Sequence, residues 1–131
     1  MIEFHESLSD GQFPVRLAKR LTHGLSYPFF NFNYHLIYYA GEVFHLSGLS
    51  ILNSFKALMI LSVVVSGVSM YLLTRRYFGT LGAVVSSIFY IIAPYKFLNM
   101  YVRGSVAECI GLSLVPLLFL SIETIAEKKK W

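Results

Sequence analysis

The sequence has 131 residues, of which 56% are hydrophobic and only 14% are charged, with a mean hydropathy of +0.61. A soluble domain carries about a quarter charged residues and lacks a core large enough for this many apolar side chains. The composition therefore excludes an ordinary soluble domain and indicates an integral membrane protein. The net charge of +4 suits anionic headgroups. Because the basic residues are scattered and form no known motif, we expect no nucleic-acid partner.

The chain begins with a polar stretch, residues 1–33, which ends in an aromatic run. Residues 1–9 and 14–23 are predicted to form short helices, separated by the turn-prone "SDGQFP". Residues 34–46 then have a helical period, with aliphatic side chains on one face and polar side chains near the other. This length gives about 20 Å of helix, short of the ~30 Å hydrocarbon core, so we predict an interfacial or half-inserted helix.

Three apolar stretches follow, and they predict an all-α integral membrane fold with about three transmembrane helices, at 51–74, 78–94 and 105–126. The middle stretch is short for a span and stops at Pro94. Small residues recur at four-residue spacing along these stretches, and in lipid such positions let helix backbones approach closely. Cys109 is the only cysteine, which excludes an internal disulfide, and we expect it to be inert packing.

Charges near the helix ends predict the orientation. Short connections make the spans alternate in direction, so residues 1–50 and the 94–104 loop share one side of the membrane. Arg75 and Arg76 and the lysines at 128–130 abut the opposite helix ends and favour the cytoplasm. We therefore predict a multi-pass plasma-membrane protein with three parts, namely an extracytoplasmic segment (1–33), a transmembrane bundle (34–126) and a basic cytoplasmic tail (127–131).

Polar side chains collect on the predicted outer side: Asp10, Arg16, His23, His35, Glu42, Lys56, Lys96, Arg103 and Glu108. A charged group at the centre of a membrane helix costs roughly 2.5–3.5 kcal/mol, so Glu108 is expected to have a cationic partner, either Arg103 or Lys56. A pair of Arg103 and Glu108 is either a structural ion pair that seals a loop onto the bundle, or a site for an anionic ligand or a reacting hydroxyl. Arginine offers a planar fork for phosphate, and a carboxylate acts as a base or holds a divalent metal.

Two further patterns have a plainer interpretation. His35, Glu42 and His45 are metal-binding residue types on one helix, but interfacial helices often place such residues at headgroup level, so we favour that reading over a metal site. The aromatic run from Tyr27 to Tyr39 is expected to form an interfacial belt.

Six stretches carry a resemblance, in one order along the chain: "SDGQFPVR" (9–16), "YPFFNFNYHLIYY" (27–39), "GLSILNSFK" (48–56), "SGVSMYLLTRRYFG" (66–79), "YIIAPYKFLNMYVRGSVAE" (90–108) and "LVPLLFL" (114–120). This series resembles the membrane domains described as 6-pyruvoyl-tetrahydropterin synthase-related. Those domains in turn look like relatives of the YfhO-type proteins of the C-type glycosyltransferase superfamily. A soluble pterin synthase needs a β-rich fold and a histidine zinc site, and this sequence supplies neither.

The glycosyltransferase likeness implies a reaction and a set of residues. Such enzymes take a sugar from a polyprenyl-phosphate donor at the extracytoplasmic face, with an acidic residue in the first long outer loop. The resemblance implies Asp10 as the catalytic acid/base or metal ligand. It implies Arg103 and Arg16 as residues that bind the ligand or donor phosphate, and Glu108 as the positioning partner of Arg103 or a metal ligand. It leaves open whether a divalent metal is a cofactor.

The chain also departs from the family pattern, because it is much shorter than the family's proteins and lacks their first transmembrane helix. We therefore expect a fragment that is inactive alone, embedded in the lipid bilayer and associated with itself or with the missing helices. Two other interpretations stay open. In the first, the chain is a non-catalytic scaffold or lipid-handling component. In the second, it is a transporter fragment in which Arg103 and Glu108 line a pathway.

Overall fold

The computed structural model describes residues 1–20 and 26–128, which are mainly helical. His23 and residues 129–131 of the predicted basic tail lie outside the described residues. The chain divides into two compact units, Met1–Leu58 and Met59–Trp131. The helices, in chain order, are α1 (Ile2–Ser9), α2 (His35–Leu46), α3 (Ile51–Ile91), α4 (Pro94–Phe97) and α5 (Val106–Lys128), with a 3₁₀ turn at Phe29–Asn31 and a π-helical turn at Leu98–Arg103.

An aromatic cluster forms the core of the first unit. The Phe4 ring of α1 contacts Phe30 edge-on, with the ring centroids 5.3 Å apart, and also contacts the rings of Tyr38 and Tyr39 on α2. Phe4 and Phe30 are almost completely buried. The predicted aromatic belt is therefore wrong for part of the run, because these rings pack inward on α1. Phe32 remains exposed.

Residues 14–20 do not form the predicted helix. The backbones of Ala18 and Tyr27 instead exchange two hydrogen bonds, of 2.9 and 3.1 Å, as an isolated antiparallel bridge. The Val15 and Ala18 side chains are fully buried in the aromatic core. Core packing of these two residues thus overrides the local helical tendency, as tertiary context often does. The predicted helix at 1–9 is confirmed as α1.

Helix α2 confirms the helix predicted at 34–46. Its aliphatic side chains are exposed, and part of its polar face is buried. Its carboxylate, Glu42, is buried, whereas the aliphatic Leu36, Val43 and Leu46 are each at least 66% exposed. A soluble protein would present the aliphatic face to its core. The reversed arrangement is the one expected where the exterior is apolar.

Helix α3 is interrupted at Gly79, whose φ of 66° and ψ of −169° are not helical. The chain reverses there. A Cβ atom placed on Gly67 would lie 2.8 Å from Cδ1 of Ile91, so the two residues are in contact. In one straight helix they would lie about 36 Å apart. Residues 59–78 and 80–91 therefore form an antiparallel helical hairpin with Gly79 at its tip.

Hydrogen bonds join this hairpin to α5. The Ser69 hydroxyl donates to the Ser113 carbonyl at 2.8 Å, and the Tyr90 hydroxyl donates to the Leu112 carbonyl at 2.6 Å. Further along, an Arg76 guanidinium N–H donates to the Thr124 hydroxyl at 3.1 Å. The first arm of the hairpin thus runs parallel to α5, and Arg76 lies at the end of the unit where α5 ends.

The second unit carries small polar side chains inside and large apolar side chains outside. Ser62, Ser66, Ser69, Ala83, Ser87 and Ser113 are buried. Leu81, Leu118 and Ile122 are more than 60% exposed. Large apolar side chains can face outward without cost when the surroundings are lipid, and small residues then let the helices approach closely. Gly111, another small residue of α5, is exposed.

The fold confirms the predicted all-α membrane class. Two helical stretches, Ile51–Arg103 and Val106–Lys128, are long and apolar enough to cross a membrane. The first stretch includes the reversal at Gly79, and its second arm, residues 80–91, measures about 18 Å. That arm is shorter than a hydrocarbon core of ~30 Å, so the separate span at 78–94 stays a prediction. Helix α5 confirms the predicted helix at 105–126.

Candidate functional site

The strongest cluster of polar side chains lies in the connection between the hairpin and α5. Ala93 is extended, as the residue before a proline prefers, and Pro94 occupies the first turn of α4. The π-helical turn Leu98–Arg103 follows, and Gly104 ends it with a left-handed φ of 60°. The chain then enters α5 at Val106. This short connection turns the chain so that Arg103 faces the first turn of the next helix.

Arg103 and Glu108 meet at this turn, as the sequence predicted. The Arg103 Nη1 group donates to Oε2 of Glu108 at 2.7 Å. The carboxylate lies in the first turn of α5, where the partial positive charge of the helix N-terminus also favours it. The side chains are 48% and 30% exposed, so the protein encloses the pair only partly. This exposure leaves part of the guanidinium accessible to an anion.

Two neighbouring residues that the sequence prediction missed complete the cluster. The Tyr95 hydroxyl donates to the same Glu108 oxygen at 3.1 Å, and Arg103 Nη1 also donates to Oδ1 of Asn99 at 3.1 Å. Asn99 is fully buried, and its Nδ2 group has no hydrogen-bond partner among the described residues. Tyr95, Asn99 and Arg103 are spaced by four, so reading 94–103 as a helix rather than a loop would have placed them on one face.

Asp10 and Arg16 belong to the first unit and do not contact each other. Asp10 pairs with the Lys19 ammonium at 2.8 Å, and both side chains are about half exposed. The hydrogen bond from Lys19, with its positive charge, holds the pKa of the Asp10 carboxyl below its usual range. A carboxylate with a low pKa is a weak general base. Arg16 is exposed and forms no ion pair within the described residues.

The histidine and glutamate stripe of α2 makes structural contacts. Glu42 binds Nδ1 of His5 at 2.6 Å, His35 binds the carbonyl of Val15 through Nε2, and His45 binds the carbonyl of Leu49 through Nδ1. Across residues 1–20 and 26–128, no three His, Cys, Asp or Glu side chains are placed to hold a metal ion. The contact between His5 and Glu42 joins residues 37 positions apart, which no local pattern in the sequence reveals.

Comparison with known proteins identifies one family. The model for the "6-pyruvoyl-tetrahydropterin synthase related domain; membrane protein" matches residues 30–131. The match covers most of the chain and includes Arg103 and Glu108, whereas Asp10 and Arg16 lie outside it. Neither the curated proteins nor the solved structures give a significant match.

Proposed function

Because the chain belongs to the family of 6-pyruvoyl-tetrahydropterin synthase-related membrane domains, we propose that it is part of a membrane glycosyltransferase. This enzyme uses polyprenyl-phosphate-linked sugars at the extracytoplasmic face of the plasma membrane. The observation that carries the proposal is the Arg103 guanidinium, which is half-exposed beside the Glu108 carboxylate at one end of the bundle. A guanidinium in this setting is suited to bind a phosphate through two parallel hydrogen bonds.

The neighbouring residues have supporting roles in this proposal. Only Nη1 of Arg103 is engaged within the described residues, by Asn99 and Glu108, so Nη2 and Nε are the donors for the phosphate. Glu108 is a positioning residue, because it accepts a hydrogen bond from Nη1 of the guanidinium while the Tyr95 hydroxyl donates to the same carboxylate oxygen. The buried amide of Asn99 gives the turn one further donor that no described residue satisfies.

Asp10 and Arg16 have less direct support. In the proposal Asp10 is the catalytic carboxylate and Arg16 is a second contact to the donor. The Lys19 ammonium favours an ionised Asp10, which suits an electrostatic role rather than a proton donor.

The surroundings of these carboxylates do not fit a divalent metal. Magnesium and calcium are held by several oxygen ligands. Asp10 instead faces the Lys19 ammonium, and Glu108 faces the guanidinium of Arg103 and the Tyr95 hydroxyl. One oxygen of each carboxylate is thus bound to a hydrogen-bond donor, and neither carboxylate belongs, among the described residues, to a group of three His, Cys, Asp or Glu side chains that could hold a metal ion.

A structural role is the second candidate, and the geometry of Glu108 favours it. One oxygen of this carboxylate accepts from both Tyr95 and Arg103, which ties the turn at 94–103 to the start of α5. In that case the chain is a non-catalytic scaffold. The two candidates differ in what they require of Arg103, since only phosphate binding needs the planar fork of a guanidinium.

We expect Arg103→Lys to weaken binding of a polyprenyl-phosphate hexose by about 10- to 150-fold. Lysine loses one of the two parallel hydrogen bonds, and a charged hydrogen bond is worth about 1.5–3 kcal/mol. The measurement is equilibrium binding of the radiolabelled donor to the chain in phosphatidylcholine nanodiscs. Arg75→Lys is the matched control, because Arg75 is exposed at the opposite end of the hairpin arm. Equal donor affinity in wild type and Arg103→Lys, or no binding to wild type, would rule out the phosphate site.

A further inference from the structure

An apolar groove opens beside the hairpin within the second unit. Its volume is about 270 Å³. Its apolar lining includes Ile60 and Val64 of the first hairpin arm, Ile91 of the second arm, and Phe97 and Met100 of the following turn. Ile60 and Val64 are more than half exposed, so the groove faces the surroundings of the helices and is not a closed core cavity.

The groove contains one cationic group, the ammonium of Lys96. The ammonium contacts the hydroxyl of Ser66 and lies 4.7 Å from the centroid of the Tyr90 ring. Within residues 1–20 and 26–128, no carboxylate forms an ion pair with it. Two neutral contacts leave the charge of Lys96 uncompensated in apolar surroundings, which is unfavourable.

Lys96 lies at an end of the helices, where lipid headgroups are expected. Lys96 lies on α4, in the connection between the hairpin and α5, and the exposed Tyr101 lies on the following turn. Tyrosine side chains are enriched at the depth of the lipid headgroups. A lysine ammonium at this depth can bind the phosphate of an anionic lipid in either leaflet, by charge attraction and a charge-assisted hydrogen bond. An apolar groove with a single cation at this depth is complementary to an anionic lipid.

We propose that this groove binds one anionic phospholipid of the surrounding bilayer. Its phosphate lies against the Lys96 ammonium, and an acyl chain lies along Ile60, Val64 and Ile91. The phosphate supplies the counter-charge that the described part of the protein does not, and the acyl chain covers the apolar wall. This site uses neither Arg103 nor Glu108, so the inference does not rest on the proposed glycosyltransferase function.

Native mass spectrometry of the purified chain tests the proposal. The chain is extracted from vesicles of equal parts phosphatidylglycerol and phosphatidylcholine, and retained lipids are counted. Wild type is expected to keep one phosphatidylglycerol in preference to phosphatidylcholine. Lys96→Gln should lower its affinity about fivefold, the equivalent of about 1 kcal/mol for one lysine at a lipid surface. Lys96→Arg should keep the preference, and Lys56→Gln, at an exposed lysine of the first unit, should leave it unchanged.

A second variant separates lipid binding from folding. Val64→Trp fills the groove without removing the charge, and it should reduce phosphatidylglycerol retention while the helical circular dichroism stays that of wild type. Equal retention of the two lipids by wild type would overturn the proposal. Unchanged retention in Lys96→Gln or in Val64→Trp would overturn it as well. Displacement of phosphatidylglycerol by an equimolar fatty acid would assign the groove to a carboxylate instead and would also count against it.

Discussion

Gly79→Ala is expected to destabilise the helical hairpin by about 1–3 kcal/mol. Gly79 has a φ of 66° and a ψ of −169°, a region of backbone space that essentially only glycine occupies. A Cβ at this position would meet no heavy atom within 4 Å, so the expected cost comes from backbone strain and not from a clash with neighbours. The free energy of unfolding in mixed micelles, measured by titration with a denaturing detergent, gives the effect.

Gly111→Ala is the matched control for this experiment. Gly111 lies within α5, and a Cβ there also has open space around it. Because alanine is favoured over glycine inside a helix by about 1 kcal/mol, this variant should be as stable as wild type or more stable. A Gly79→Ala variant that unfolds like wild type would show that the chain does not need its reversal at residue 79.

The second large effect concerns the docking of α1. We expect His5→Ala to destabilise the first unit by about 1–3 kcal/mol, because the buried Glu42 carboxylate loses its partner. The value is below the cost of breaking a fully buried ion pair, since the His5 side chain is one third exposed. An isolated helix as short as α1 is unstable in water, so its amide protection reports docking onto α2. Hydrogen exchange of residues 1–9 should therefore be about 5- to 150-fold faster in the variant.

Two further variants give this prediction its controls. Lys19→Ala removes the exposed pair with Asp10 and should change stability by less than 0.5 kcal/mol. The double variant His5→Ala, Glu42→Leu should recover part of the lost stability, because no buried carboxylate then remains without a partner. Equal effects of His5→Ala and Lys19→Ala on the exchange of α1 would contradict a special role for the buried contact.

The membrane class and most helices follow from the sequence, because apolar composition and helical period are local properties. Helices α1, α2 and α5 lie within two residues of their predicted bounds at 1–9, 34–46 and 105–126. The predictions that were wrong concern residues whose structure depends on contacts with residues distant in the sequence. Residues 14–20 are not helical. Val15 and Ala18 are instead buried in an aromatic core, and part of the predicted aromatic belt supplies that core.

The sequence predicted part of the candidate site, because some of its contacts join residues that are close together in the sequence. Arg103 and Glu108 are five residues apart, and two opposite charges at such a separation near lipid can be expected to pair. Tyr95 and Asn99 were missed because the connection was taken for a loop, whereas it is helical and brings residues four apart onto one side. The partner of Glu42 comes from another helix, so only the folded chain reveals it.

The side of the membrane on which Arg103 lies tests the central claim most directly, since the proposed donor is used at the extracytoplasmic face. In a Cys109→Ser background, Val102→Cys and Ala126→Cys place single thiols at exposed positions near the opposite ends of α5, a helix about 34 Å long. Intact cells are treated with a membrane-impermeant maleimide. We predict labelling of Val102→Cys in intact cells and of Ala126→Cys only after lysis. Labelling in the reverse order would place Arg103 and Glu108 in the cytoplasm and would contradict the glycosyltransferase proposal.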